Sequence, residues 1–259
     1  MNQISPKAQI GNNVSFGYNV IIGDDVVIGD NSVIGHNTII ERTRIGAGAK
    51  IESNCNLGYG YITPFQGRPD AGVENHYEPL EIDENVLIRE GCTLYLGSKI
   101  ARNVRIHHKA LIREKAIIGE GSSIGSMVEM EGKMQIGRFT SIHSRSFICM
   151  GTTVGDYVFI APMTITTNGN PIGYRRPQIT AKFGAERGCT IEHGCQIAVQ
   201  CVISPGVRIG HESWVAANSV VTKDFEPLSK IMGTPAISKG RLDEIHRLPL
   251  ELRLELGLK

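Results

Sequence analysis

A large apolar residue stands at every sixth position along most of the chain. The spacing runs without a slip from Ile82 to Ile160, and it also covers 4–57, with one residue missing after Ile40, and 191–221. Four residues after each large position comes a smaller one, where Ala, Val, Ser, Thr and Cys recur. An amphipathic helix returns an apolar residue every three or four positions and a half-exposed strand every two. The six-residue period therefore predicts very short strands joined by tight turns.

A short period of this kind is typical of a solenoid. Three hexads close one triangular coil, with the large side chain in the interior and the small one at the turn. We therefore predict an all-β fold, a triangular parallel β-helix over residues 1–235. Gly often follows the large residue, as in Ile22–Asp25 and Ile28–Asn31. We expect the Gly, Asp and Asn residues of these corners to supply the left-handed backbone conformation that the corners require.

Two insertions interrupt the repeat, at about 58–80 and 166–187, and both contain Pro, Gly, aromatic residues and Arg. Insertions on a rigid solenoid often carry its function. We expect both loops on one side of the prism, where a neighbouring subunit would be needed to close a pocket over them.

A C-terminal extension, 236–259, follows the repeats. Leu242, Ile245 and Leu248 have the spacing of one helix stripe, which predicts a partly helical segment. Residues 250–256 alternate as a strand would, yet Leu, Glu and Arg are good helix formers. Both alternatives stay open for this last stretch.

Composition excludes several classes of protein. The formal net charge of +1 gives no reason to expect a nucleic-acid or anionic membrane partner. No apolar run approaches the roughly 18 residues of a membrane span. The chain opens directly into repeats without a signal peptide, so we expect a cytoplasmic protein. Five of the six cysteines fall at the small position of the repeat, which predicts reduced, buried thiols and no metal site.

From about residue 4 to 235, the hexads resemble those of the left-handed parallel β-helix acyltransferases, the hexapeptide-repeat family. The resemblance implies left-handed coils, homotrimers with active sites between neighbouring prisms, and transfer of an acyl group from acyl-CoA or an acyl carrier protein. It is most specific in Ile197–Ile203, Trp214–Asp224 and Gly233–Ala236, which are similar to the acetyl-CoA-binding end of sugar acetyltransferases.

These C-terminal coils indicate where acetyl-CoA, the expected co-substrate, would bind. Its pantetheine arm is thin and rich in amides, so it needs small residues that leave backbone groups accessible, and cations near its phosphates. The alternative is that the alanines have only a structural role at the corners and that the cations are solvated. The candidates for cofactor binding are Ala198, Ala216, Ala217, Lys223, Lys239 and Arg241.

The segment Phe159–Asn168, followed by Pro171, resembles part of the nucleotide-sugar N-acetyltransferases. This resemblance makes Asn168 a catalytic candidate, whose amide would orient the acceptor amine or the thioester carbonyl. The Arg that normally stands beside the Pro is absent, and Arg175 or Arg176 is the nearest substitute. The candidate substrate-binding residues are Pro171, Arg175, Arg176 and, in the first insertion, His76.

Two positions at which relatives carry a histidine base hold Met150 and Gly169 here. A positioned base is worth about two to four orders of magnitude in rate, and a sugar hydroxyl needs one more than a neutral amine does. The acceptor is therefore expected to be an amine. His143 is the remaining candidate base or sugar ligand, with a solvated corner as the alternative, and His107 and His108 are weaker candidates. Three further histidines are expected to be turn residues: His36, His193 and His211.

The leading hypothesis is an enzyme, an acyl-CoA-dependent N-acyltransferase with acetyl favoured, which acts on an amino sugar carried on a nucleotide. The expected setting is the synthesis of bacterial surface-polysaccharide precursors. One alternative is an O-acetyltransferase on a sugar or polysaccharide that uses His143 as its base. The other is a non-catalytic or metal-binding solenoid, although His107, His108 and His143 do not have the spacing of a three-histidine metal site.

Overall fold

Each hexad forms a short strand and a turn in the computed structural model, which describes residues 1–60, 78–169 and 187–258. The strands fall in turn on three flat sheets, A, B and C, so that each coil of the chain contributes one strand to each sheet. Strands three apart along the repeat pair in parallel and in register, as Ile142 does with Ile160. The predicted all-β, triangular parallel solenoid is confirmed.

The strands of the three sheets are as follows. Sheet A contains β1 (Gln3–Ile4), β4 (Ile21–Ile22), β7 (Ile39–Ile40), β10 (Asn56–Tyr59), β13 (Thr93–Tyr95), β16 (Leu111–Ile112), β19 (Glu129–Met130), β22 (Phe147–Ile148), β25 (Ile165–Thr166), β28 (Val202–Ile203) and β31 (Val220–Val221). Sheet B contains β2 (Gln9–Ile10), β5 (Val27–Ile28), β8 (Thr43–Ile45), β11 (Leu80–Ile82), β14 (Lys99–Ile100), β17 (Ile117–Ile118), β20 (Gln135–Ile136), β23 (Thr153–Val154), β26 (Thr190–Ile191) and β29 (Arg208–Ile209). Sheet C contains β3 (Ser15–Phe16), β6 (Val33–Ile34), β9 (Lys50–Ile51), β12 (Leu87–Ile88), β15 (Arg105–Ile106), β18 (Ser123–Ile124), β21 (Ser141–Ile142), β24 (Phe159–Ile160), β27 (Gln196–Ile197), β30 (Trp214–Val215), β32 (Ser229–Gly233) and β33 (Ala236–Arg241).

The large residue of each hexad fills the interior of the prism. Ile112, Ile118 and Ile124 lie on consecutive strands of sheets A, B and C, and all three are completely buried. The small position is buried as well: the Ser122 hydroxyl donates a 2.7 Å hydrogen bond to the Gly137 carbonyl oxygen in the next coil. Successive residues of a strand face opposite sides. The residue before each core residue therefore sets the outer surface of its sheet.

The tight corners contain a left-handed residue, which is Asn31 (φ 59°) in one of the two corners quoted from the sequence and is not the glycine in either. Positive φ angles fall three residues after the core residue, as at Asn13 (56°) and Lys109 (57°). Neither Gly23 nor Gly29 has a positive φ, so their predicted role is wrong. Gly29 instead permits close stacking, because a Cβ there would lie 2.6 Å from the backbone nitrogen of Ala47 in the next coil.

At its end the chain reverses and leaves the prism. β32 still pairs in parallel with β30, whereas β33 returns antiparallel to β32. A 3-10 turn at Glu244–His246 and helix α1 at Leu250–Glu255 follow. Helix α1 answers the open question for 250–256 in favour of a helix. Among the described residues, no helix has the length and apolar composition that a membrane span needs.

The helix stripe expected at Leu242, Ile245 and Leu248 is wrong. Ile245 is 88% exposed and lies in the 3-10 turn. Leu242 belongs instead to the end of the hairpin, where its N–H donates a 2.7 Å hydrogen bond to the Leu228 carbonyl oxygen. A stripe of three apolar residues was too short to distinguish a helix from a hairpin followed by a turn.

Candidate functional site

Turns form the three long edges of the prism, here called edge AB, edge BC and edge CA after the sheets that they connect. Except where it is proline, the second residue after a core residue carries a backbone N–H, here the turn N–H, that no strand pairing uses. At Arg138, two residues after Ile136, this N–H donates a 2.8 Å hydrogen bond to Asp156 Oδ1 in the next coil. The side chain one coil along therefore decides whether a turn N–H is covered.

Several turns of edge BC are closed in this way, whereas the turn N–H groups of Arg102 and Glu120 on the same edge have no partner among the described residues. The Arg138 turn N–H is covered by Asp156, and the Asp156 turn N–H is covered by His193 Nδ1 at 2.9 Å. The Arg138 guanidinium, which pairs with Asp156 at 2.8 Å, also contacts Glu255 of helix α1 at 2.8 Å. The C-terminal segment thus lies along this edge.

The buried carboxylate of Glu212 anchors the same segment. It accepts hydrogen bonds from Arg247 Nη2 and from the Leu248 N–H, each at 2.9 Å. Arg247 also contacts Glu244 at 3.2 Å. A charge that is out of water and paired in this way is costly to leave alone, so Glu212 fixes where the C-terminal segment begins its path down edge BC.

Edge CA presents small side chains in its upper coils. Ala161, Ala198 and Ala216 directly follow core residues in consecutive coils, above His143. Their own N–H groups are engaged in coil stacking: Ala198 donates to the Val215 carbonyl oxygen at 2.9 Å, and Ala216 donates to Ile231 at 2.8 Å. The predicted small-residue surface is therefore present, but these two alanines offer no free N–H.

The accessible donors lie one residue further along. The turn N–H groups of Val199 and Ala217 have no hydrogen-bond partner among the residues that the structure describes. Ala217 stands where Asp156 stands on edge BC, and it has no side-chain oxygen with which to cover Val199. Val199 was missed in the sequence, although the Ala eighteen positions later, one coil along, is a signal that could have indicated it.

His143 lies at the foot of this column and is half-buried. Its ring packs against Phe159, with ring centroids 4.7 Å apart. No side-chain hydrogen bond joins it to any described residue, so the imidazole is available to a ligand. Phe159 itself is exposed on sheet C, which gives the position an apolar wall.

Two coils below, His107 is held differently. Its Nε2 lies 3.1 Å from Ser123 Oγ. Burial lowers the pKa of His107, and the nearby cations, Arg89 first among them, lower it further. His107 is therefore neutral at physiological pH unless an anion approaches.

The other histidines mostly act in turns, as expected. His36 Nδ1 accepts the Tyr18 turn N–H at 2.8 Å, and His193 accepts that of Asp156. His211 lies on edge BC with its Nδ1 3.6 Å from a Glu212 oxygen. These rings complete corners, and none is aimed at a surface groove.

Edge AB carries both insertions. One follows β10 and the other follows β25, each before the next strand of sheet B. These strands are five spacings apart in sheet A, or about 24 Å at about 4.8 Å per strand. Residues 61–77 and 170–186 lie outside the described ranges. Those gaps include the candidates His76, Pro171, Arg175 and Arg176.

Asn168 stands at the base of the second insertion. Its carbonyl oxygen accepts the Arg187 N–H at 2.9 Å, so the two ends of the loop are joined. The Asn168 side-chain amide has no hydrogen-bond partner among the described residues and is half-buried. Thr167 Oγ1 beside it donates to the Ile203 carbonyl oxygen at 3.2 Å, which fixes the backbone that presents the amide.

One chain does not bring the two catalytic candidates together. Asn168 lies on edge AB and His143 on edge CA, on opposite borders of sheet A. Asn168 and Ala161 nevertheless belong to the same coil, since β24 and β25 are consecutive strands. The two edges therefore hold their candidates at nearly the same height along the prism.

The three cationic candidates are also dispersed. Lys223 is exposed on edge AB, two coils above Asn168, with its Nζ 5.8 Å from the Phe225 ring centroid. Lys239 and Arg241 are exposed on β33, beyond the last parallel strand of sheet C. Arg241 pairs with Ser229 at the start of β32, on the edge BC side of sheet C, and Lys239 lies between it and edge CA.

The outer surfaces of the sheets differ in polarity. Sheet A presents mostly apolar residues, namely Ile21, Ile39, Leu111, Phe147, Ile165, Val202 and Val220. Sheet B presents charged residues, among them Arg44, Glu81, Lys99 and Arg208. A concavity of about 490 Å³ lies on sheet B, lined in part by Arg44, Glu81 and Lys99, away from the candidate residues.

All six cysteines are buried and unbridged, as the repeat predicts. Burial raises the pKa of Cys189 and that of Cys195 to about 12, so both thiols stay protonated and inert. Within the described ranges, no group of three or more metal-binding side chains occurs.

Comparison with protein-family models gives two matches. Residues 7–42 match the model described as bacterial transferase hexapeptide (six repeats). Residues 188–223 match the model described as hexapeptide repeat of succinyl-transferase.

Known proteins share part of the chain. The galactoside O-acetyltransferase of Escherichia coli K12 is 36% identical over 84 residues, which are 32% of this chain and 40% of that protein. The bifunctional protein GlmU of Thermotoga petrophila is 32% identical over 180 residues, which are 66% of this chain and 36% of that protein. The chain thus spans about two fifths of the length of these relatives.

A solved hexapeptide-repeat acetyltransferase from Vibrio cholerae, in complex with acetyl coenzyme A, is 32% identical to this chain. The match covers 49% of this chain and 71% of the Vibrio protein, with a TM-score of 0.44.

Proposed function

Since the chain belongs to the left-handed β-helix, hexapeptide-repeat family of transferases, we propose that it transfers an acyl group from acyl-CoA to the amino group of a nucleotide-linked amino sugar. Acetyl is the favoured acyl group, and the synthesis of bacterial surface-polysaccharide precursors in the cytoplasm is the favoured setting. The observation that carries the proposal is the pair of uncovered turn N–H groups, Val199 and Ala217, beside the alanine column of edge CA.

This part of edge CA suits a pantetheine arm. The arm carries amide carbonyl groups along a thin chain, and the turn N–H groups of Val199 and Ala217 are donors one coil apart, about 4.8 Å. Ala198 and Ala216 leave room beside them. The thioester would then lie toward Ala161 and His143, and the phosphates toward β33, where Lys239 and Arg241 are exposed.

An amine acceptor accords with two residues of edge AB, which the proposed trimer brings to the groove. The corner positions in which relatives carry a base hold Met150 and Gly169. A neutral amine has its own lone pair and can attack the thioester directly, losing its proton afterwards. The Asn168 amide would polarise the thioester carbonyl or orient the amine, a contribution typical of one oxyanion-type hydrogen bond.

Asn168 and edge CA have to come from different subunits to act on one acyl group. Around a three-fold axis faced by sheet A, edge CA of one prism adjoins edge AB of the next, and Ala161 and Asn168 are at the same height. Sheet A has the apolar surface that such an interface buries. Exposed Met127 and Met163 on edge CA extend this apolar surface. We therefore propose a homotrimer with sheet A at its centre.

Two isoleucines provide a matched test of the trimer. Ile165 on sheet A and Ile117 on sheet B both precede a core residue, and they are 42% and 43% exposed. Ile165→Asp should give monomers in light scattering, because it places charges at the three-fold centre. Ile117→Asp should leave the trimer intact. A wild-type protein that is a stable monomer under assay conditions would rule out the shared site.

The function itself is tested by mass spectrometry of products. Acetyl-CoA is incubated with a panel of nucleotide-linked amino sugars and with the same sugars carrying hydroxyl in place of amine. We expect one acetyl group on the amine of at least one amino sugar and none on the hydroxyl analogues. Acetylation of the hydroxyl analogues that His143→Ala abolishes would favour the O-acetyltransferase instead. No product with any acyl-CoA would favour a non-catalytic solenoid.

A further inference from the structure

The turn N–H of this fold is a receptor for anions. On edge BC the turn N–H of Arg138 binds the Asp156 carboxylate, and that of Asn12 binds the Asp30 carboxylate at 2.7 Å. On edge CA the turn N–H of Glu90 binds the Glu52 carboxylate at 3.1 Å. Successive backbone N–H groups in turns form anion-binding sites of the same chemistry elsewhere in proteins.

Three consecutive coils of edge CA have no such carboxylate. The turn N–H groups of His108, Ser126 and Ser144 have no hydrogen-bond partner among the residues that the structure describes. They lie directly above Glu90, whose turn N–H is covered. The interruption therefore begins at one coil and continues up to Pro162, which has no N–H.

Two histidines and a glycine form one column beside these donors, and a Cβ at Gly125 would lie 2.5 Å from the backbone nitrogen of Ser144. Gly125 directly follows a core residue, between His107 in the coil below and His143 in the coil above. The two imidazoles are thus two strand spacings apart, or about 10 Å, with no side chain between them in that column. Hydroxyl groups of Ser123, Ser126, Ser141 and Ser144 lie on the strands and turns beside it. We call the group formed by His107, Gly125, Ser126, His143 and Ser144 the CA notch.

Several cations lie around the CA notch, together with the carboxylates of Glu90, one coil below His108, and Glu129 on β19. Arg105 precedes the core residue before His107, and Lys109 and Arg145 follow in the turns, all three exposed. They form no ion pair with residues that the structure describes. The one close pair near the notch is Arg89 with Glu52, at 2.6 Å in the coil below. The lowered pKa of His107, caused by burial and by Arg89, His108, Arg105 and His143, accords with a local excess of cations.

We propose that the CA notch binds the phosphate groups of the nucleotide that carries the amino sugar. A carboxylate engages one turn N–H, as Asp156 does, whereas a diphosphate has enough oxygens and charge to engage the donors of neighbouring coils together. The assignment to the acceptor rests on the proposed function. It follows from position, because the notch continues edge CA below Ala161, and the pantetheine groove occupies the coils above it.

The decisive variant removes one donor without changing charge. Proline already occupies the turn N–H position at Pro162 on edge CA and at Pro205 on edge AB, so Ser126→Pro is compatible with the corner. Ser126→Ala retains the N–H and is its control. His107→Gln keeps a partner for Ser123 but removes the titratable ring, and Lys50→Ala removes an exposed cation of sheet C two strand spacings below Arg105.

Calorimetry with inorganic pyrophosphate and with nucleoside diphosphates measures the effect. Ser126→Pro should weaken binding of both by about tenfold or more, as expected for a lost hydrogen bond to a charged group, and His107→Gln by several-fold. Lys50→Ala should change it little, and Ser126→Ala, which keeps the N–H and loses only the hydroxyl, should weaken binding less than Ser126→Pro does. Melting temperatures identify any variant that fails to fold, in which case His107→Gln carries the test.

Acetyl-CoA binding separates the two sources of phosphate. It should be unaffected by Ser126→Pro and weakened by Ala217→Pro, which removes a donor of the proposed pantetheine groove. If Ser126→Pro and His107→Gln weaken acetyl-CoA and leave nucleoside diphosphates unchanged, the notch serves CoA and the proposal is wrong. It is equally wrong if neither ligand responds to either variant.

A spectroscopic readout distinguishes a ligand site from a structural turn. Pyrophosphate should raise the pKa of His107, followed by the NMR shifts of its ring protons, because an adjacent anion favours the imidazolium. An unchanged His107 titration with bound pyrophosphate would contradict the assignment. The proposed function can fail separately. If Ser126→Pro loses diphosphate binding but the wild type transfers no acetyl group to any nucleotide-linked amino sugar, the CA notch is supported as a phosphate site and the proposed reaction is contradicted.

Discussion

The coils of Arg138 and Asp156 on edge BC and the upper coils of edge CA are built from the same turn, yet the first are closed and the second are open. On edge BC, Asp156 and His193 cover the turn N–H groups below them, and the C-terminal segment lies over the result. On edge CA, Ala217 stands at the corresponding position and covers nothing. The backbone is the same in both places. One side chain per coil therefore decides whether an edge is a finished surface or a row of hydrogen-bond donors.

The largest effect comes from breaking the prism that both edges share. Ile118→Asp places a charge at a fully buried position, at a cost of several kcal/mol without a partner. We expect loss of the cooperative melting transition in circular dichroism. Its neighbour Ile117 points outward, and Ile117→Asp should melt as the wild type does. A folded Ile118→Asp variant of unchanged melting temperature would show that the register described here is wrong.

A smaller break opens edge BC alone. Glu212→Gln leaves Arg247 without its buried partner, since the Glu212 side chain is fully buried, and we expect a loss of about 3 kcal/mol in the free energy of unfolding. Glu244 pairs with the same Arg247 but is 69% exposed, so Glu244→Gln should matter far less. Denaturant titration measures both. Equal effects would mean that burial of Glu212 does not determine how the C-terminal segment is held.

Catalysis should respond to edge AB more than to the histidine of edge CA. Asn168→Ala should lower turnover by about ten- to a thousandfold, the range for one orienting or carbonyl-polarising hydrogen bond. His143→Ala should cost under about tenfold, because a neutral amine needs no enzyme base. The rate should rise with pH as the acceptor amine loses its proton, with an apparent pKa that changes with the amino sugar. The opposite ranking of the two variants would support the O-acetyltransferase.

The smallest effects come from making edge CA resemble edge BC. Ala217→Asp should cover the Val199 turn N–H as Asp156 covers that of Arg138, and it should weaken acetyl-CoA binding by about tenfold while the melting temperature stays level or rises. Ala216→Trp, which fills the groove instead, should raise the Michaelis constant for acetyl-CoA with little change in stability. Unaltered calorimetric binding in both variants would place the cofactor elsewhere.

The fold was predictable from the sequence because each large apolar residue marks one strand of the repeat. Ile112, Ile118 and Ile124 needed no long-range information to be assigned to the interior. The corner glycines were misread because Gly29 responds to Ala47 in the next coil, a contact that local turn preferences do not contain. The helix predicted from three apolar residues was likewise wrong, because the hairpin of β32 and β33 extends to Leu242.

The site was predictable only in part, for the same physical reason. Small side chains indicated Ala198, Ala216 and Ala217, but not Val199, which provides the other free donor. Whether a donor is free depends on a residue one coil away. The separation of Asn168 from His143 follows from which edge each residue occupies. A local motif does not show on which edge a residue lies, whereas the position of its hexad in the repeat does.

The regular stacking of coils also means that distances along the prism change in constant steps. Each complete turn adds eighteen residues, as from Ile142 to Ile160, and advances the edges by about 4.8 Å. A tandem duplication of one turn between Gly125 and Ala161 would therefore increase the distance between the CA notch and the alanine column by about 4.8 Å, and it would alter neither region. Adding or removing turns would therefore match substrates of different length, because the number of coils sets the distance between the two binding regions.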